Sequence, residues 1–309
     1  MEETYIVETH NLTKTYSGRN VVNNVNMHIK KGSIYGFVGE NGSGKTTIMR
    51  LIMGLSIPSK GDYSLFGVDW KKSEIYKIRK NISAIVETPS LVVSMNAYDN
   101  LKYACYYCGI KDLSIIEPTL KKVGLDNVPK NKKLKNFSLG MRQRLGIAVL
   151  LLSSPKLLLL DEPMNGLDPE GIKEVRDIIY DLNKQGITIL ISSHILSELE
   201  KVATDWGFIS HGNLLEEISS QELNDKCAKS IEVGYHDGNK LEEAIKKIGI
   251  SNYKNSSNSS FRIFDDIKPL DLLNKLKSEG VEIEDINTSH GSVEEYYFDL
   301  VRNGGNNNE

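Results

Sequence analysis

The sequence predicts an α/β fold built on a parallel sheet, followed by a small α+β domain. Three apolar runs predict buried strands of that sheet: Ile34–Val38, Leu157–Leu160 and Ile187–Ile191. Buried parallel strands are apolar almost throughout, because helices cover both faces of such a sheet. After about residue 220 the pattern changes to short alternating strands and amphipathic helices, which predicts a second, smaller domain.

Bulk properties exclude several classes of protein. The chain has 309 residues, a formal net charge of −3 and a pI near 6.1. Because positive and negative charges nearly balance, the chain has no overall positive electrostatic field to attract nucleic acid, so we expect no nucleic-acid partner. The first residues are acidic, which does not fit a signal peptide. No apolar run reaches the roughly 18–20 residues of a membrane span, so we expect a cytosolic protein.

A glycine-rich loop follows the first predicted strand. Gly39–Thr47 fits the pattern Gly-x-x-x-x-Gly-Lys-[Ser/Thr] and leads into a helical pattern. Its glycines let backbone N–H groups point at phosphate oxygens, and the helix N-terminus adds positive charge. Lys45 would reach the β- and γ-phosphates, and the Thr46 hydroxyl would bind Mg²⁺. A glycine-rich turn without a ligand is the alternative, which the flanking strand and helix disfavour. The further predicted contacts are Gly39, Asn41, Gly42, Ser43, Gly44 and Thr47.

Two acids end the second apolar run. Asp161 and Glu162 lie at the sheet edge where doubly wound folds bind ligands. Asp161 suits a Mg²⁺ ligand, and Glu162 suits a residue that polarises a water aimed at the γ-phosphate. Alone, the segment would be an ordinary strand with an acidic turn. The third run continues through Ser192 and Ser193 to His194, which ends this predicted strand at the same edge, so we predict a γ-phosphate contact rather than a structural polar residue.

Several residues outside these strands have both a functional and a structural interpretation. Ser138 is predicted to cap a helix, and with Gly140 it would form a second anion site there. Tyr16 offers adenine a stacking face, although a lone tyrosine is more often a packing residue. Cys105 and Cys108 are interpreted as small apolar residues one helical turn apart, because no second Cys or His pair suggests a metal or redox site.

Taken in order, these motifs resemble those of ATP-binding cassette (ABC) proteins. The resemblance covers about residues 4–220 and implies a P-loop NTPase core (RecA-like) with antiparallel β and helical subdomains. It implies ATP and Mg²⁺ as cofactors, with Glu162 and His194 as catalytic residues. The corresponding motifs are the aromatic loop at Tyr16, Walker A at Gly39–Thr47, the signature at Phe137–Met141, Walker B at Leu157–Glu162, the D-loop at Asn165–Asp168 and the switch histidine His194.

In this family two cassettes pair head to tail, so the resemblance implies a homodimer. Ser138 and Gly140 would contact the γ-phosphate that the partner's Lys45 binds, and Asp168 would also contribute to the ATP site. The family role further implies separately encoded transmembrane permease subunits, which would hold the chain at the cytoplasmic face of the cell membrane. The expected domains are residues 1–220, with a helical subdomain at about 88–155, and residues 228–302.

Two departures refine the resemblance. The signature Phe137–Met141 lacks the first glycine and the glutamine of Leu-Ser-Gly-Gly-Gln, and Glu87 stands where a Q-loop glutamine is usual. An oxygen of Glu87 can still bind Mg²⁺. Both features are similar to bacitracin and lantibiotic export or immunity cassettes, which implies export of an antimicrobial peptide or similar amphiphile and resistance to it.

Two other functions remain open at this point. The first is a soluble ABC ATPase acting on ribosomes or DNA, which the single cassette and the absence of a basic stripe disfavour. The second is an ATP-dependent switch that barely hydrolyses, which the presence of Glu162 and His194 disfavours.

The C-terminal third predicts alternating strands and helices without a catalytic constellation. Ile231–Tyr235 and Phe261–Phe264 are predicted strands, and the polar run Asn255–Ser260 is predicted to be a loop. Ser292 opens a capping box before the last helix. The domain is interpreted as a dimer-supporting or stabilising extension, with a regulatory site as the alternative. Residues 303–309 are rich in Gly and Asn and are predicted to be disordered.

Overall fold

The computed structural model describes residues 4–86, 88–227, 230–235, 238–257, 260–265, 267–289 and 291–305. Contacts within the chain divide it into two compact units, Met1–Ser220 and Gln221–Glu309. Glu87, the predicted Q-loop metal ligand, lies outside the described residues, and so do residues 306–309 of the predicted tail.

The N-terminal unit combines two sheets with several helices. Its elements are, in chain order, β1 (Tyr5–Tyr16), β2 (Arg19–Val25), β3 (His28–Lys30), β4 (Ile34–Val38), α1 (Lys45–Met53), β5 (Lys60–Leu65), β6 (Val68–Asp69), α2 (Ile75–Ile78), β7 (Ile82–Ile85), α3 (Ala97–Tyr107), α4 (Ile116–Lys122), α5 (Leu139–Leu151), β8 (Leu157–Asp161), α6 (Pro169–Lys184), β9 (Thr188–Ser193), α7 (Leu196–Leu199), β10 (Asp205–Ser210) and β11 (Asn213–Ser219). The three predicted buried strands are confirmed as β4, β8 and β9.

The six-stranded sheet carries the candidate site. Its order is β11-β10-β4-β9-β8-β7, and all neighbouring pairs are parallel except β10 and β11. Every residue of β4, β8 and β9 is buried, as the apolar runs predict. Because β9 lies between β4 and β8, the carboxyl ends of these three strands meet at one sheet edge.

An antiparallel sheet packs beside the parallel one. Its order is β2-β1-β5-β6, and β3 also pairs with β1. Ser17 and Gly18 join β1 to β2 with φ angles of 48° and 81°, as a type I′ turn requires, and this hairpin places Tyr16 at the end of β1. Side chains of both sheets and of α1 form one core, with Phe37, Ile48 and Tyr63 among its buried members.

The helical part of the unit contains α3, α4 and α5. Asn96 begins α3, and its side chain accepts a hydrogen bond from the Asp99 N–H. Cys105 is buried on α3, whereas Cys108 is exposed at its C-terminal end. Gly146 of α5 packs against Pro89, where an added Cβ would lie 2.6 Å from the proline Cβ.

The C-terminal unit is a β-α-β-β-α-β arrangement followed by a helix. Its elements are α8 (Ser220–Cys227), β12 (Ser230–Tyr235), α9 (Gly238–Lys247), β13 (Tyr253–Ser257), β14 (Ser260–Ile263), α10 (Pro269–Ser278), β15 (Ile283–Ser289) and α11 (Val293–Gly305). The antiparallel sheet order is β13-β14-β12-β15, and one face carries the core with Val233, Ile245 and Leu272.

Two expectations for this unit differ from the structure. The predicted loop at Asn255–Ser260 is wrong at its ends, because β13 runs to Ser257 and β14 begins at Ser260; residues 258–259 lie outside the described residues. Lys254 pairs with Arg262 across these strands, so backbone pairing rather than apolar side chains forms this edge of the sheet. The tail predicted to be disordered begins inside α11, which continues to Gly305.

Candidate nucleotide-binding site

The glycine loop between β4 and α1 has a backbone that few other residues can adopt. Gly42 and Gly44 have φ angles of 83° and 111°, in the region that favours glycine. A Cβ at Gly44 would also lie 2.7 Å from the Val21 carbonyl oxygen. Gly44 precedes α1 and provides no side-chain cap, so the first N–H groups of this helix remain available to an anion.

Lys45 lies inside this loop. Its Nζ donates to the carbonyl oxygens of Gly39 at 2.5 Å and Glu40 at 3.0 Å, and it lies 3.8 Å from Glu162 Oε1. Burial lowers the pKa of Lys45, while the negative charges of Glu162, Asp161 and Glu40 oppose that shift. The Lys45 ammonium is therefore held between the glycine loop and the acidic C-terminal end of β8.

Asp161, at the end of β8, is buried and has donors on both carboxylate oxygens. Thr46 Oγ1 donates to Oδ2 at 2.6 Å, and Ser192 Oγ donates to Oδ1 at 2.6 Å. The structure thus brings Thr46 and Asp161 together, as predicted for two metal ligands. Sequence reasoning missed Ser192, although its place two residues before His194 on a strand beside β8 is a usable signal.

Glu162 and His194 form a direct contact. Nδ1 of His194 lies 2.7 Å from Glu162 Oε2, and the His194 N–H donates to the same oxygen at 3.3 Å. The φ angle of Glu162 is 50°, an uncommon value for a residue with a side chain, and its N–H donates to Ser192 Oγ at 2.9 Å. Glu162 Oε1 is buried and, within the described part of the chain, has no hydrogen-bond partner.

The phosphate loop and the acids line one cavity of about 150 Å³. Asp168 lies elsewhere as the N-cap of α6, where it accepts from the Gly171 N–H at 3.1 Å. The lining residues are Val21, Asn41, Gly42, Gly44, Lys45, Thr46, Thr47, Asp161 and Glu162.

The signature residues form a separate feature. Ser138 is the N-cap of α5, as predicted, and its Oγ accepts from the Met141 N–H at 3.2 Å. Gly140 packs close to Gly171, whose Cα would lie 3.5 Å from an added Cβ. Neither Ser138 nor Gly140 is among the residues that line the phosphate-loop cavity.

Tyr16 is exposed at the end of β1. Its hydroxyl lies 3.1 Å from Ser56 Oγ, and the Lys14 ammonium lies 4.9 Å from the ring centroid. The hydroxyl contact and the lysine both restrain the ring, which is 45% exposed. An exposed and oriented ring is compatible with stacking on a base.

Comparisons with known proteins agree with this architecture. The family model described as ABC transporter matches residues 22–165. The bacitracin transport ATP-binding protein BcrA of Enterococcus faecalis is 38% identical over 307 residues, which cover 97% of this chain and 98% of BcrA. BcrA of Bacillus licheniformis is 40% identical over 302 residues, covering 97% and 98%.

Two further matches cover mainly a cassette-sized region. The lantibiotic transport ATP-binding protein SrtF of Streptococcus pyogenes is 47% identical over 212 residues, covering 69% of this chain and 90% of SrtF. Among solved structures, cbiO1 from Clostridium perfringens, described as part of the ABC transporter complex cbiONQ, has a TM-score of 0.64 and 28% identity. That match covers 72% of this chain and 91% of cbiO1.

The fold, the site and these relatives define an ATP-binding cassette ATPase. The chain belongs to the ABC transporter family as an ATP-binding subunit, and its relatives include bacitracin and lantibiotic transport proteins. The predicted fold class and the resemblance to these cassettes are confirmed. No helix in the described ranges is both long and apolar enough to cross a membrane.

Proposed function

We propose that this chain drives export of bacitracin or a similar amphiphilic antimicrobial peptide and thereby gives the cell resistance. The observation that carries the hydrolytic part is the contact of Glu162 with His194 beside Lys45. The transport part is supported by similarity to BcrA along nearly the whole chain.

The extent of the matches favours bacitracin over a lantibiotic as cargo. The SrtF match is 212 residues long, about the length of the N-terminal unit, and it already covers 90% of SrtF. The BcrA matches exceed 300 residues and therefore include the C-terminal unit. A C-terminal unit shared with the bacitracin proteins supports a common transport role.

The residues present fit MgATP. Ser43 Oγ is buried without a hydrogen-bond partner among the described residues, and the glycine loop lines a cavity of about 150 Å³. Thr46 Oγ1 and Asp161 Oδ2 are hard oxygen ligands, 2.6 Å apart, that would hold Mg²⁺. The ion neutralises phosphate charge when it is bound.

The chain's own residues supply the remaining chemistry. Lys45 binds the β- and γ-phosphates, and Tyr16 stacks on adenine. Glu162 accepts the proton of the attacking water, because it is a carboxylate at the sheet edge and its Oε1 accepts no hydrogen bond from the described residues. His194 binds the other oxygen of Glu162 and also contacts the γ-phosphate, so it orients the base relative to the reacting atoms.

A second copy of the chain completes the site. Ser138 and Gly140 begin α5 with helix N–H groups that suit an anion, yet they do not line their own phosphate-loop cavity. In the proposed homodimer they contact the γ-phosphate bound by the partner's Lys45, and Asp168 lies at the same interface. ATP then joins the two copies and hydrolysis releases them.

The transporter role requires membrane partners. Separately encoded permease subunits would bind the homodimer and hold it at the cytoplasmic face of the cell membrane. Tagged protein from detergent-solubilised cells should therefore co-purify with a multi-span membrane protein. Recovery with ribosomes or DNA instead would favour the soluble ATPase.

The hydrolytic assignment has its own test in the same eluate. Glu162→Gln should lower kcat by about 100-fold or more while ATP binding persists, because it removes the base but keeps the shape. The exposed Glu200→Gln serves as the matched control and should keep the wild-type rate. An unchanged ATPase rate in Glu162→Gln contradicts the catalytic assignment. If the wild-type protein binds ATP but does not hydrolyse it, the ATP-dependent switch is favoured instead.

The cargo has a separate test in cells. A strain without the protein should become sensitive to bacitracin, and a plasmid-borne wild-type copy should restore resistance where Glu162→Gln does not. Unchanged sensitivity to bacitracin in the deleted strain contradicts the proposed cargo and leaves the ATPase assignment untouched.

A further inference from the structure

An ion pair connects two helices that flank the Glu162–His194 contact. Nη1 of Arg176, on α6, lies 2.7 Å from Oε2 of Glu198, on α7, and each side chain is only 17% exposed. The other carboxylate oxygen of Glu198 lies 2.7 Å from the Lys201 Nζ, and Lys201 is 52% exposed. Neither Arg176 nor Glu198 lines the phosphate-loop cavity.

The positions of these two residues in the chain link them to the site. α6 begins at Pro169, shortly after Glu162, and Asp168 caps it. α7 begins two residues after His194, and Glu198 lies four residues after it. The pair therefore joins the helix that follows the base to the helix that follows the histidine.

α7 cannot hold its own position. It has only four residues, it lacks a side-chain cap, and Ile195 before it has φ −96° and ψ 84°, outside the helical region. A helix this short has little stability of its own in water, so contacts with the rest of the protein must fix it. Leu199 is fully buried, but an apolar contact is not directional, whereas a short charge-assisted hydrogen bond is.

We propose that Arg176 and Glu198 are positioning residues for His194. Their ion pair fixes α7 against α6 and so keeps the imidazole Nδ1 at Glu162 Oε2. The inference rests on the proposed roles of Glu162 and His194. It also predicts that a movement of α6, whose N-terminal cap Asp168 lies at the proposed dimer interface, reaches the histidine through this pair.

The charge state of the pair supports this role. Burial alone would raise the pKa of Glu198, but hydrogen bonds from Lys201 and Arg176 outweigh it and hold the pKa below its usual value. Glu198 is therefore ionised at neutral pH. Removing one partner breaks a short contact between two half-buried charges, although Lys201 still faces Glu198 and Asp177 still lies 3.6 Å from Arg176.

The test compares kcat and KM for ATP in the full chain with Mg²⁺. Glu198→Gln and Arg176→Met should each lower kcat by roughly 10-fold to 100-fold, because a displaced histidine misaligns the base. KM should stay within about twofold, because Lys45, Thr46 and Tyr16, which supply the other proposed contacts with ATP, are unchanged. Lys201→Gln removes the exposed partner of the same carboxylate and should leave kcat near the wild-type value.

Two combinations separate positioning from general stability. The exchanged pair Arg176→Glu with Glu198→Arg, made together with Lys201→Gln because Lys201 would repel the new arginine, should recover much of the lost kcat. Glu198→Gln added to His194→Ala should cause little further loss in single-turnover rate, because the pair acts through the histidine. An additive loss, or an unchanged kcat in both single variants, overturns the proposal.

The proposed function and this inference fail in distinguishable ways. If Glu162→Gln retains the wild-type rate, the catalytic assignment fails and the inference fails with it. If Glu162→Gln abolishes turnover while Glu198→Gln has wild-type kcat, only the inference fails. If Glu198→Gln does not fold, the variant with the exchanged pair tests the proposal instead. If that variant folds but its kcat stays far below the wild-type value, the proposal is overturned.

Discussion

At the scale of residues, the buried carboxylate of Asp161 depends on a neighbour that has no charge. Ser192 donates to one of its oxygens and also accepts from the Glu162 N–H. One hydroxyl thus satisfies the buried acid and supports the unusual backbone angle of the next residue. A serine in this position is part of the site although it need not touch the substrate.

Ser192→Ala should therefore impair both stability and activity. It leaves one oxygen of a buried carboxylate without a donor, so the free energy of unfolding should fall by about 1–3 kcal/mol, measured by urea denaturation. The kcat for ATP hydrolysis should fall by about 10-fold, because Asp161 and Glu162 lose their alignment.

A control on the same strand separates the two effects. Thr188→Val removes a buried hydroxyl that accepts from the Gly32 N–H at 2.8 Å, away from the site. It should lose stability as Ser192→Ala does but keep kcat within about twofold. Equal losses of kcat in both variants would show that Ser192 acts only through stability.

At the scale of elements, α5 contains two glycines in different surroundings. A Cβ at Gly146 would lie 2.6 Å from Pro89 Cβ, whereas one at Gly140 would meet Gly171 Cα at an ordinary 3.5 Å. The first glycine is required for the close approach of the helix to the Pro89 segment. The second is required, in our proposal, for an anion rather than for packing.

Gly146→Ala should lower the free energy of unfolding by about 1–3 kcal/mol, because the methyl group overpacks the contact with Pro89. Gly140→Ala should preserve or raise stability by up to about 1 kcal/mol, since alanine favours the helix more than glycine does. Thermal and urea unfolding of both variants measure this difference, and equal changes in the two variants contradict it.

The connection between α6 and α7 should also appear in the pH dependence of stability. Folding lowers the pKa of Glu198 from its ordinary value of 4.5. The ionised carboxylate therefore contributes fully to the free energy of unfolding above pH 4.5, and this contribution is lost as the pH falls through the lower pKa of the folded state. The charges that face it are Arg176 and Lys201. Urea unfolding from pH 7 to pH 3 should show a smaller acid loss in Glu198→Gln than in the wild type, and parallel curves contradict this.

At the scale of the whole molecule, the proposed site needs two chains. Glu162→Gln with MgATP should form a dimer that light scattering detects as a doubled mass, because bound ATP is not hydrolysed. Adding Ser138→Arg should prevent that dimer while nucleotide binding by the single chain persists. Asn127→Arg, at an exposed position of the helical part, is the control and should still dimerise. A dimer that forms equally without ATP contradicts the sandwich.

Most of the fold could be predicted because its signals are local. The apolar runs that became β4 and β8 are continuous, and the glycine loop lies directly between a strand and a helix. β13 could not be predicted, because Lys254 and Asn255 are polar and their strand conformation comes from pairing with β14. Pairing partners that lie elsewhere in the chain leave little trace in a short window of sequence.

The sequence by itself determined the order of the motifs, the apolar strands that carry them and the residue types of the phosphate loop. The tertiary structure decided which side chains meet: Ser192 with Asp161, and Arg176 with Glu198. It also decided that Ser138 lies outside its own chain's phosphate-loop cavity. The physical reason is that periodicity records which face of a strand or helix is buried, whereas the approach of distant side chains depends on how the sheet orders its strands and the helices pack on them.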